Sequence, residues 1–251
     1  RNFEWVAELL DDKIRSIVKD SGAEGEPKLF LTSIRHFYKE DYIPNFREGL
    51  AVSKPYKGTR VNEKPFHYHN IFHHLRENYD THVGNGVEAD DLMGIEQVSR
   101  NLLGEDTIIC SRDKDLRMIP GWHYGWECGL QAEFGPQFYS DLGEIELVQK
   151  ADANGKIKSS KITGGGKAFF FSQCLTGDVV DNIGGLDKCG PVKAYKHLSS
   201  CRTEEEYRNV VQLCYQSQLG ERDWREKLTE QVGLLWIQRE AGITYDIFGD
   251  E

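Results

Sequence analysis

Runs of apolar residues change between helical and strand-like spacing along the chain. From residue 3 to residue 19 the apolar side chains recur at helical spacing, which predicts an amphipathic helix. KLFLT (28–32) and TIIC (107–110) are short apolar runs typical of buried strands. The segment 146–160 predicts a β-hairpin that turns at Asn154-Gly155. Further helical patterns cover 66–80, the acidic stretch from Val87 onward, 167–176, 203–218 and 223–240.

This alternation of strands and helices predicts an α/β layer architecture with a helical C-terminal part. The pattern is interrupted between residues 44 and 65, where three prolines punctuate an irregular stretch. The basic residues of that stretch are Arg47, Lys54, Lys57, Arg60 and Lys64. We therefore expect a long loop or arch that contacts phosphates, the alternative being an ordinary solvated charged loop.

Composition limits the classes of protein that remain. The 251 residues allow one large domain or two small ones. No apolar run approaches the ~20 residues that span a bilayer. The six cysteines include no CxxC, which indicates thiols in a reducing compartment. The net charge of −10 argues against a simple nucleic-acid binder, unless many acids are concentrated in one metal site.

Acidic residues cluster at three element ends. The clusters are GVEADD (86–91) at a helix start, SRDKD (111–115) after a strand, and LTGDVVDNIGGLDKCGP (175–191). Each has an ordinary explanation: helix capping for the first, a solvated ion-pair turn for the second, and capping of two short helices for the third. Those explanations weaken when all three clusters are taken together. The seven carboxylates are Glu88, Asp90, Asp91, Asp113, Asp115, Asp178 and Asp181.

Carboxylates that converge on one pocket repel one another and raise one another's pKa unless cations neutralise them. Mg²⁺ takes oxygen ligands and typically binds only one or two carboxylates directly, so this set suits two ions better than one. Two metals roughly 3.5–4 Å apart can activate a water and stabilise the leaving oxygen in phosphodiester cleavage. The sequence therefore favours a two-metal hydrolytic site. In the third cluster, Asp178 and Asp181 project together only if their segment is helical.

The stretch IGGLDKCGPVKAYKHL (183–198) is typical of a helix–hairpin–helix motif. Glycines allow the backbone to approach a phosphate closely, and Pro191 suits the first turn of a helix. The N–H groups of that helix start, with Lys193 and Lys196 nearby, would form an anion site that grips a nucleic-acid backbone without reading its sequence. The alternative is a plain glycine-rich loop between helices.

These three acidic motifs, in this order, resemble the phage-type 5′–3′ exonucleases of the flap-endonuclease superfamily. NFR (45–47) and PYKGTR (55–60) are similar to the arch region of that family, and the similarity spans about residues 28–200. The resemblance implies an α/β fold with a central, mostly parallel sheet flanked by helices (PIN-like). It also implies a helical arch and a C-terminal helix–hairpin–helix region that holds K⁺ through backbone carbonyls.

The resemblance further implies a role for each matching residue. Glu88, Asp90 and Asp91 would bind the first metal, and Asp115, Asp178 and Asp181 the second, with Asp113 between the two. Lys57 and Arg60 would contact the scissile phosphate and act with Asp113 in catalysis. Arg47, Lys54, Gly190, Lys193 and Lys196 would also contact DNA, and the carbonyls of Gly184, Leu186 and Cys189 would hold K⁺.

The same resemblance divides the chain into a nuclease core at 1–176, with the arch at about 44–80, and a helix–hairpin–helix region with C-terminal helices at 177–251. The first strand of the family carries a metal-site aspartate, and nothing before residue 28 fits it, so we expect this sequence to lack that strand. Two other departures are Thr32 and Ser33, where the second strand of the family usually ends in Asp, and Gly184, where the family commonly has Pro.

We therefore expect a Mg²⁺-dependent 5′–3′ exonuclease or flap endonuclease that acts on DNA, with Mn²⁺ as a substitute ion. Its partners would be duplex, nicked or flapped DNA with 5′ ends, and replication proteins, in the cytoplasm of a phage-infected or bacterial host cell. No membrane partner is expected. Two alternatives stay open: a PIN-type endoribonuclease, against which the helix–hairpin–helix pattern speaks, and a DNA-binding domain that has lost catalysis.

Overall fold

The computed structural model describes residues 2–59, 63–220 and 222–249. Its α-helices are α1 (Phe3–Ser21), α2 (Arg35–Tyr38), α3 (Phe46–Leu50), α4 (Tyr68–Asn78), α5 (Ala89–Leu102), α6 (Gly166–Thr176), α7 (Pro191–Leu198), α8 (Glu204–Leu219) and α9 (Trp224–Leu235). Its strands are β1 (Lys28–Thr32), β2 (Asp80–Gly84), β3 (Ile108–Cys110), β4 (Gly121–Gly125), β5 (Phe134–Tyr139), β6 (Ile145–Ala151), β7 (Ile157–Gly164), β8 (Gly177–Asp178) and β9 (Ile183–Gly184). The mixed α/β character predicted from the sequence is confirmed. None of the described helices is both long and apolar enough to span a membrane.

The strands pair in several small sheets. β1 pairs with β2 in parallel, and β3 pairs in parallel with β4, which continues into antiparallel β5. β6 and β7 form the predicted hairpin, and β8 and β9 form a two-residue antiparallel ladder. Within the described ranges no strand joins β1 to β3, so separate pairs replace the expected single central sheet. Helix α5 packs against both pairs and holds them together without hydrogen bonds between them.

A hydrophobic core organises the second half of the chain, with members from Ile109 to Ile247. Helix α6 carries apolar residues on every face, and nine of its eleven residues are buried, as expected for a helix surrounded by others. It packs against α7, α8 and α9. This core includes residues on both sides of the expected boundary at 176, and the division into two domains stays a prediction.

Local sequence signals set several helix ends. Thr203 and Glu206 form a capping box at the start of α8, where the Thr203 hydroxyl accepts from the Glu206 amide at 3.2 Å and the Glu206 carboxylate accepts from the Thr203 amide at 3.1 Å. Helix α7 follows Gly190 with Pro191 in its first turn, as predicted. Helix α1 ends at Gly22, whose φ of 74° suits glycine.

The expected arch, at about 44–80, contains α3 and α4 with a turn region between them. Its first part is attached to the C-terminal helices, because the amides of Val52 and Ser53 donate to Glu230 Oε1 at 2.8 and 2.6 Å. Lys227 donates to Ser53 Oγ at 2.7 Å. This attachment places the turn at residues 56–59 next to the β8–β9 hairpin, where the Lys57 amide donates to the Asp181 carbonyl at 2.9 Å. Arg60 lies outside the described residues.

Candidate functional site

Acidic side chains from three distant segments line a single cleft. The segments are the start of α5, the turn that follows β3, and the β8–β9 hairpin. The acids that line it are Glu88, Asp90, Asp113, Asp115, Asp178 and Asp181. The remaining walls are Arg47, Tyr56, Lys57, Gln173, Ile183, Leu234, Leu235 and Ile237. Six of the seven predicted metal-site acids thus share one cleft.

Tyr56 and Lys57 connect the first acidic cluster to the third. Glu88 is the N-cap of α5, and its Oε2 accepts from the Tyr56 hydroxyl at 2.9 Å while its Oε1 is paired with the Lys57 ammonium. The Tyr56 hydroxyl also lies 3.3 Å from Asp181 Oδ2, and Lys57 Nζ lies 3.7 Å from the same oxygen. Burial and the neighbouring carboxylates raise the pKa of Tyr56, so its hydroxyl stays a donor to these acids.

Asp91, the seventh acid, lies behind the cleft in a buried pair with Arg47. The guanidinium donates to Asp91 Oδ2 at 2.7 Å and Oδ1 at 2.8 Å, and also to the carbonyls of Leu234 and Trp236 at 3.1 and 2.6 Å. Burial alone would lower the pKa of Arg47, but the hydrogen bonds and charge of Asp91 raise it above its ordinary value. Asp91 also accepts from the amide of Gln238 at 3.0 Å.

This pairing favours structural roles for Asp91 and Arg47. The Arg47 side chain is 3% exposed and the Asp91 side chain is not exposed. The expected phosphate contact from Arg47 would require the guanidinium to leave its buried partners. The expected metal contact from Asp91 would compete with two charge-assisted bonds from Arg47 and with the amides of Gln238 and Glu88, which together give each oxygen two donors. Arg47 lies in the wall of the cleft and Asp91 behind it, and their pairing holds α5 against the end of α9 and the segment that follows it.

The second acidic cluster meets the third through Lys114. Its ammonium lies 2.7 Å from Asp115 Oδ1 and 2.7 Å from Asp178 Oδ2. Asp113 is exposed and its Oδ1 accepts from the Asp115 amide at 2.9 Å. Burial raises the pKa of Asp115 despite the neighbouring ammonium. The pKa of Asp178 shifts in the opposite direction. Burial would raise it, but the hydrogen bond and charge of Lys114 bring it below its usual value.

Asp178 and Asp181 lie in a β-hairpin, which corrects the expectation that they project together only from a helix. Asp178 belongs to β8, and its Oδ1 accepts from the amides of Val180 at 2.7 Å and Asp181 at 3.3 Å. These two bonds fold the turn back over the Asp178 carboxylate, so both acids reach the cleft without helical geometry. Gly177 allows the turn, because its φ is 70° and an added Cβ would lie 2.3 Å from the Gly185 nitrogen.

Crowding of like charges is strongest at Asp90. Burial, with the carboxylates of Asp113 and Glu88 adding to it, raises the pKa of Asp90 to about 7 from a usual value of 3.8. A carboxylate is shifted in this direction when it is removed from water beside other negative groups. A divalent cation in the cleft would reverse both effects, because it supplies positive charge where the solvent is excluded.

The donor set of the cleft fits a hard divalent cation, since it consists of carboxylate oxygens and contains no cysteine or histidine. In the part of the chain that the structure describes, no group of three or more His, Cys, Asp or Glu side chains has the arrangement of a formed metal site. Four of the carboxylates are instead paired with lysine ammonium groups: Glu88 and Asp181 with Lys57, and Asp115 and Asp178 with Lys114. Glu88, Asp90, Asp113, Asp115, Asp178 and Asp181 are the residues that would hold Mg²⁺.

The predicted helix–hairpin–helix residues lie beside the cleft. The segment in which the motif is predicted comprises α6, the β8–β9 hairpin and α7, with Lys193 and Lys196 exposed on α7 and Gly190 exposed at its start. The predicted K⁺ donors lie on the connection, where the Leu186 carbonyl accepts from the Cys189 amide at 3.1 Å. Lys54, which is exposed, and Gly184 line a neighbouring small pocket. The DNA and K⁺ roles of these residues stay predictions.

Tyr56, Lys114 and Gln173 contact acids of the cleft but have no functional role predicted from the sequence. Tyr56 and Lys114 are sequence neighbours of predicted site residues, and this proximity is the sequence signal that could have identified them. Lys114 is also compatible with a surface ion-pair turn. Gln173 donates to Asp115 Oδ1 at 2.5 Å from helix α6. No signal could have identified Gln173, because it belongs to a largely apolar helical pattern whose packing was unknown.

The fold is similar to solved structures of a phage nuclease. A complex of the bacteriophage T5 flap endonuclease with DNA and metal ions matches with a TM-score of 0.54 and 13% identity, and covers 91% of this chain and 80% of that chain. The T5 D15 protein co-crystallised with metal ions matches with a TM-score of 0.53 and 14% identity over 90% and 82% of the two chains. The T5 5′-exonuclease with bound zinc gives a TM-score of 0.51 and 14% identity over 91% and 80%.

No protein-family model matches the sequence, and no curated protein matches it either. At 13–14% identity, the structural matches establish a common fold. Over about nine tenths of its length, the chain has the fold of the T5 5′-exonuclease, in agreement with the resemblance inferred from the three acidic motifs.

Proposed function

We propose that the protein is a Mg²⁺-dependent 5′ nuclease that hydrolyses phosphodiester bonds at the 5′ ends of DNA. The observation that carries the proposal is the convergence of six carboxylates from three segments on one cleft. Two further findings support it. The chain shares the fold of the T5 flap endonuclease, and one solved structure of that protein contains DNA and metal ions.

The cleft residues divide the work between them. Divalent ions, when bound, would supply activation of a water and charge stabilisation of the leaving oxygen. Glu88 and Asp90 would bind one of the two metal ions, and Asp115, Asp178 and Asp181 would bind the other. Asp113 would lie between these two groups of ligands. Lys57, whose amide is bonded to the Asp181 carbonyl at 2.9 Å, would contact the scissile phosphate. Arg60 would act with Lys57.

Contacts outside the cleft would hold the duplex. The exposed Lys193 and Lys196 on α7, with the amides at the helix start after Gly190, would grip phosphates without reading bases. The carbonyls of Gly184, Leu186 and Cys189 would add K⁺ to this grip. Lys54 would contact the strand from the arch side. The β8–β9 hairpin carries Asp178 and Asp181 and leads directly into α7. The distance between the phosphates bound at α7 and the bond cleaved in the cleft would therefore be fixed.

The test is digestion of 5′-labelled duplex, nicked and flapped DNA with Mg²⁺ and with EDTA. We expect label release that requires Mg²⁺ or Mn²⁺. Asp113→Asn should reduce it by about a hundredfold or more while leaving the fold intact, as for loss of one group that stabilises transition-state charge. The matched control is Asp152→Asn in the β6–β7 turn, where the carboxylate accepts from turn amides at 2.9 and 3.0 Å and pairs with the Lys158 ammonium at 3.2 Å.

The same experiment separates the proposal from its alternatives. Preferential cleavage of a matched RNA would favour a PIN-type endoribonuclease. DNA binding without cleavage at any metal concentration would favour a domain that has lost catalysis. Label release that persists in EDTA would contradict the metal-dependent mechanism itself.

A further inference from the structure

Lys114 bridges two acids that the sequence keeps 63 or more residues apart. Its ammonium lies 2.7 Å from Asp115 Oδ1 and 2.7 Å from Asp178 Oδ2, which are carboxylates of the second and third acidic clusters. No other described lysine or arginine contacts either carboxylate within 4.0 Å. Lys114 is therefore the protein cation that neutralises this side of the cleft.

The two carboxylates are fixed, whereas the lysine is not. Asp178 is 8% exposed and its Oδ1 is held by the amides of Val180 and Asp181, so only Oδ2 faces Lys114. Asp115 is held by the Gln173 amide. The Lys114 side chain is 50% exposed on a flexible four-carbon stem, and it can reach solvent without moving the backbone.

From this contrast we infer that Lys114 is an exchangeable internal cation that competes with a divalent ion for Asp115 and Asp178. A divalent ion bound by these two oxygens and the ammonium cannot occupy the same place, because both need the same lone pairs and repel each other. Binding of the ion therefore includes release of Lys114 to solvent. Lys114 thereby sets the concentration of divalent cation at which this half of the cleft fills.

Lys57, on the other side of the cleft, does not have the same freedom. Its side chain is 22% exposed, and its backbone is held by the bond to Asp181 and by a φ of 52°. Of these two lysines, Lys114 has the more exposed side chain, and the two carboxylates that it contacts are held in place by other hydrogen bonds. The inference rests on the proposed function, because it assumes that the cleft binds divalent ions, and it adds a residue that tunes that binding.

The test measures Mn²⁺ binding by titration calorimetry, and counts bound Mn²⁺ by electron paramagnetic resonance, for the full chain and three variants. Lys114→Met removes the charge and keeps the length of the side chain. Lys114→Gln removes the charge but keeps a hydrogen-bond donor, which protects the measurement if the methionine variant does not fold. Lys158→Met is the matched control, because its ammonium pairs with Asp152 at 3.2 Å on the β6–β7 hairpin.

We expect both Lys114 variants to bind Mn²⁺ at the site that contains Asp115 and Asp178 about tenfold more tightly than wild type, which corresponds to about 1.4 kcal/mol. Lys158→Met should bind as wild type does. The metal concentration for half-maximal DNA cleavage should fall by a similar factor in the Lys114 variants, as a second readout.

Three outcomes would overturn the inference. Unchanged or weaker Mn²⁺ binding in both Lys114 variants, with wild type binding Mn²⁺, refutes the role of Lys114 and leaves the proposed function standing. A tenfold gain that Lys158→Met shares shows a general effect of net charge. Absence of Mn²⁺ binding in wild type and in every variant refutes the proposed function together with the inference.

Discussion

The Arg47–Asp91 pair provides the sharpest test of how the site is supported. Asp91 is one of the acids that the family resemblance assigns to a metal, yet the structure gives it a buried guanidinium as its partner. The informative changes are Asp91→Asn, Arg47→Met and the two combined. Each single change removes one charge and leaves the other without its partner in the interior.

The expected magnitude follows from the burial of both groups. The pair has two short charge-assisted bonds, at 2.7 and 2.8 Å, and the side chains are 3% and 0% exposed. Leaving one buried charge unpaired costs about 3–5 kcal/mol. Arg47→Met also leaves the carbonyls of Leu234 and Trp236 without their donor, at roughly 1–3 kcal/mol each when they stay buried. The double variant should be less destabilised than the sum of the singles by about 2 kcal/mol or more.

The assay is urea unfolding in EDTA, followed by tryptophan fluorescence and by far-ultraviolet circular dichroism. Coincident transitions would justify a two-state free energy of unfolding, and an unchanged slope would show that the unfolded state is not altered. The control is Lys158→Met, which breaks a pair whose side chains are 59% and 27% exposed. Such a pair contributes about 0–1 kcal/mol.

One result would refute the reasoning directly. If Asp91→Asn unfolds in EDTA within about 1 kcal/mol of wild type but loses Mn²⁺ affinity, then Asp91 acts mainly as a metal ligand. Strict additivity of the two single changes would likewise show that the two groups do not support each other. In either case the assignment of structural roles to Arg47 and Asp91 would be wrong.

Three further predictions concern the fold. Burial lowers the pKa of His123 to about 4 from 6.5, so through this residue acidification from pH 7 to pH 5 should cost about 2 kcal/mol of stability, while Asp90, whose pKa is raised to about 7, contributes with the opposite sign; the change in the free energy of unfolding between the two pH values should therefore differ from wild type by about 2 kcal/mol in His123→Gln and match wild type in the exposed His197→Gln. Gly177→Ala should destabilise by at least about 2 kcal/mol in urea unfolding, because its Cβ would lie 2.3 Å from backbone, whereas Gly22→Ala, with a similar positive φ in open space, should cost about 1 kcal/mol. Leu228→Ala, at a fully buried position, should lower the free energy of unfolding by about 2–5 kcal/mol. An unchanged pH slope in His123→Gln, or equal effects of the two glycine changes, would contradict the corresponding argument.

The sequence predicted those features of the site that depend on short motifs in a fixed order along the chain. The three acidic clusters could be identified because each follows or begins a periodic element, and element ends are where side chains converge in an α/β fold. The start of α7 at Pro191 was predictable for a similar local reason. Such signals need no knowledge of distant contacts, which explains their success.

The features that were missed depend on distant contacts. Arg47 is buried because its guanidinium donates to the carbonyls of Leu234 and Trp236, which are 187 and 189 positions further along the chain. The residues around PNFREG give no indication of these contacts. The hairpin geometry at Asp178 depends on positive φ angles at Gly177 and Asn182, so the helical interpretation of the three-residue spacing was wrong. The division of the sheet depends on which strand edges meet, and a list of strand segments does not contain that information.

The cleft raises a general question about how a chain of net charge −10 holds six carboxylates together. Two kinds of cation neutralise these negative charges, and they differ in how deeply they are buried. Arg47 neutralises Asp91 permanently, because its guanidinium is enclosed and has four polar partners. Lys57 and Lys114 neutralise the acids that face the cleft from positions closer to solvent. A guanidinium in the interior therefore fixes the shape of the site, while ammonium groups at its mouth leave the carboxylates available to a divalent cation. Replacing Lys114 should consequently change metal affinity more than stability, and replacing Arg47 should do the reverse.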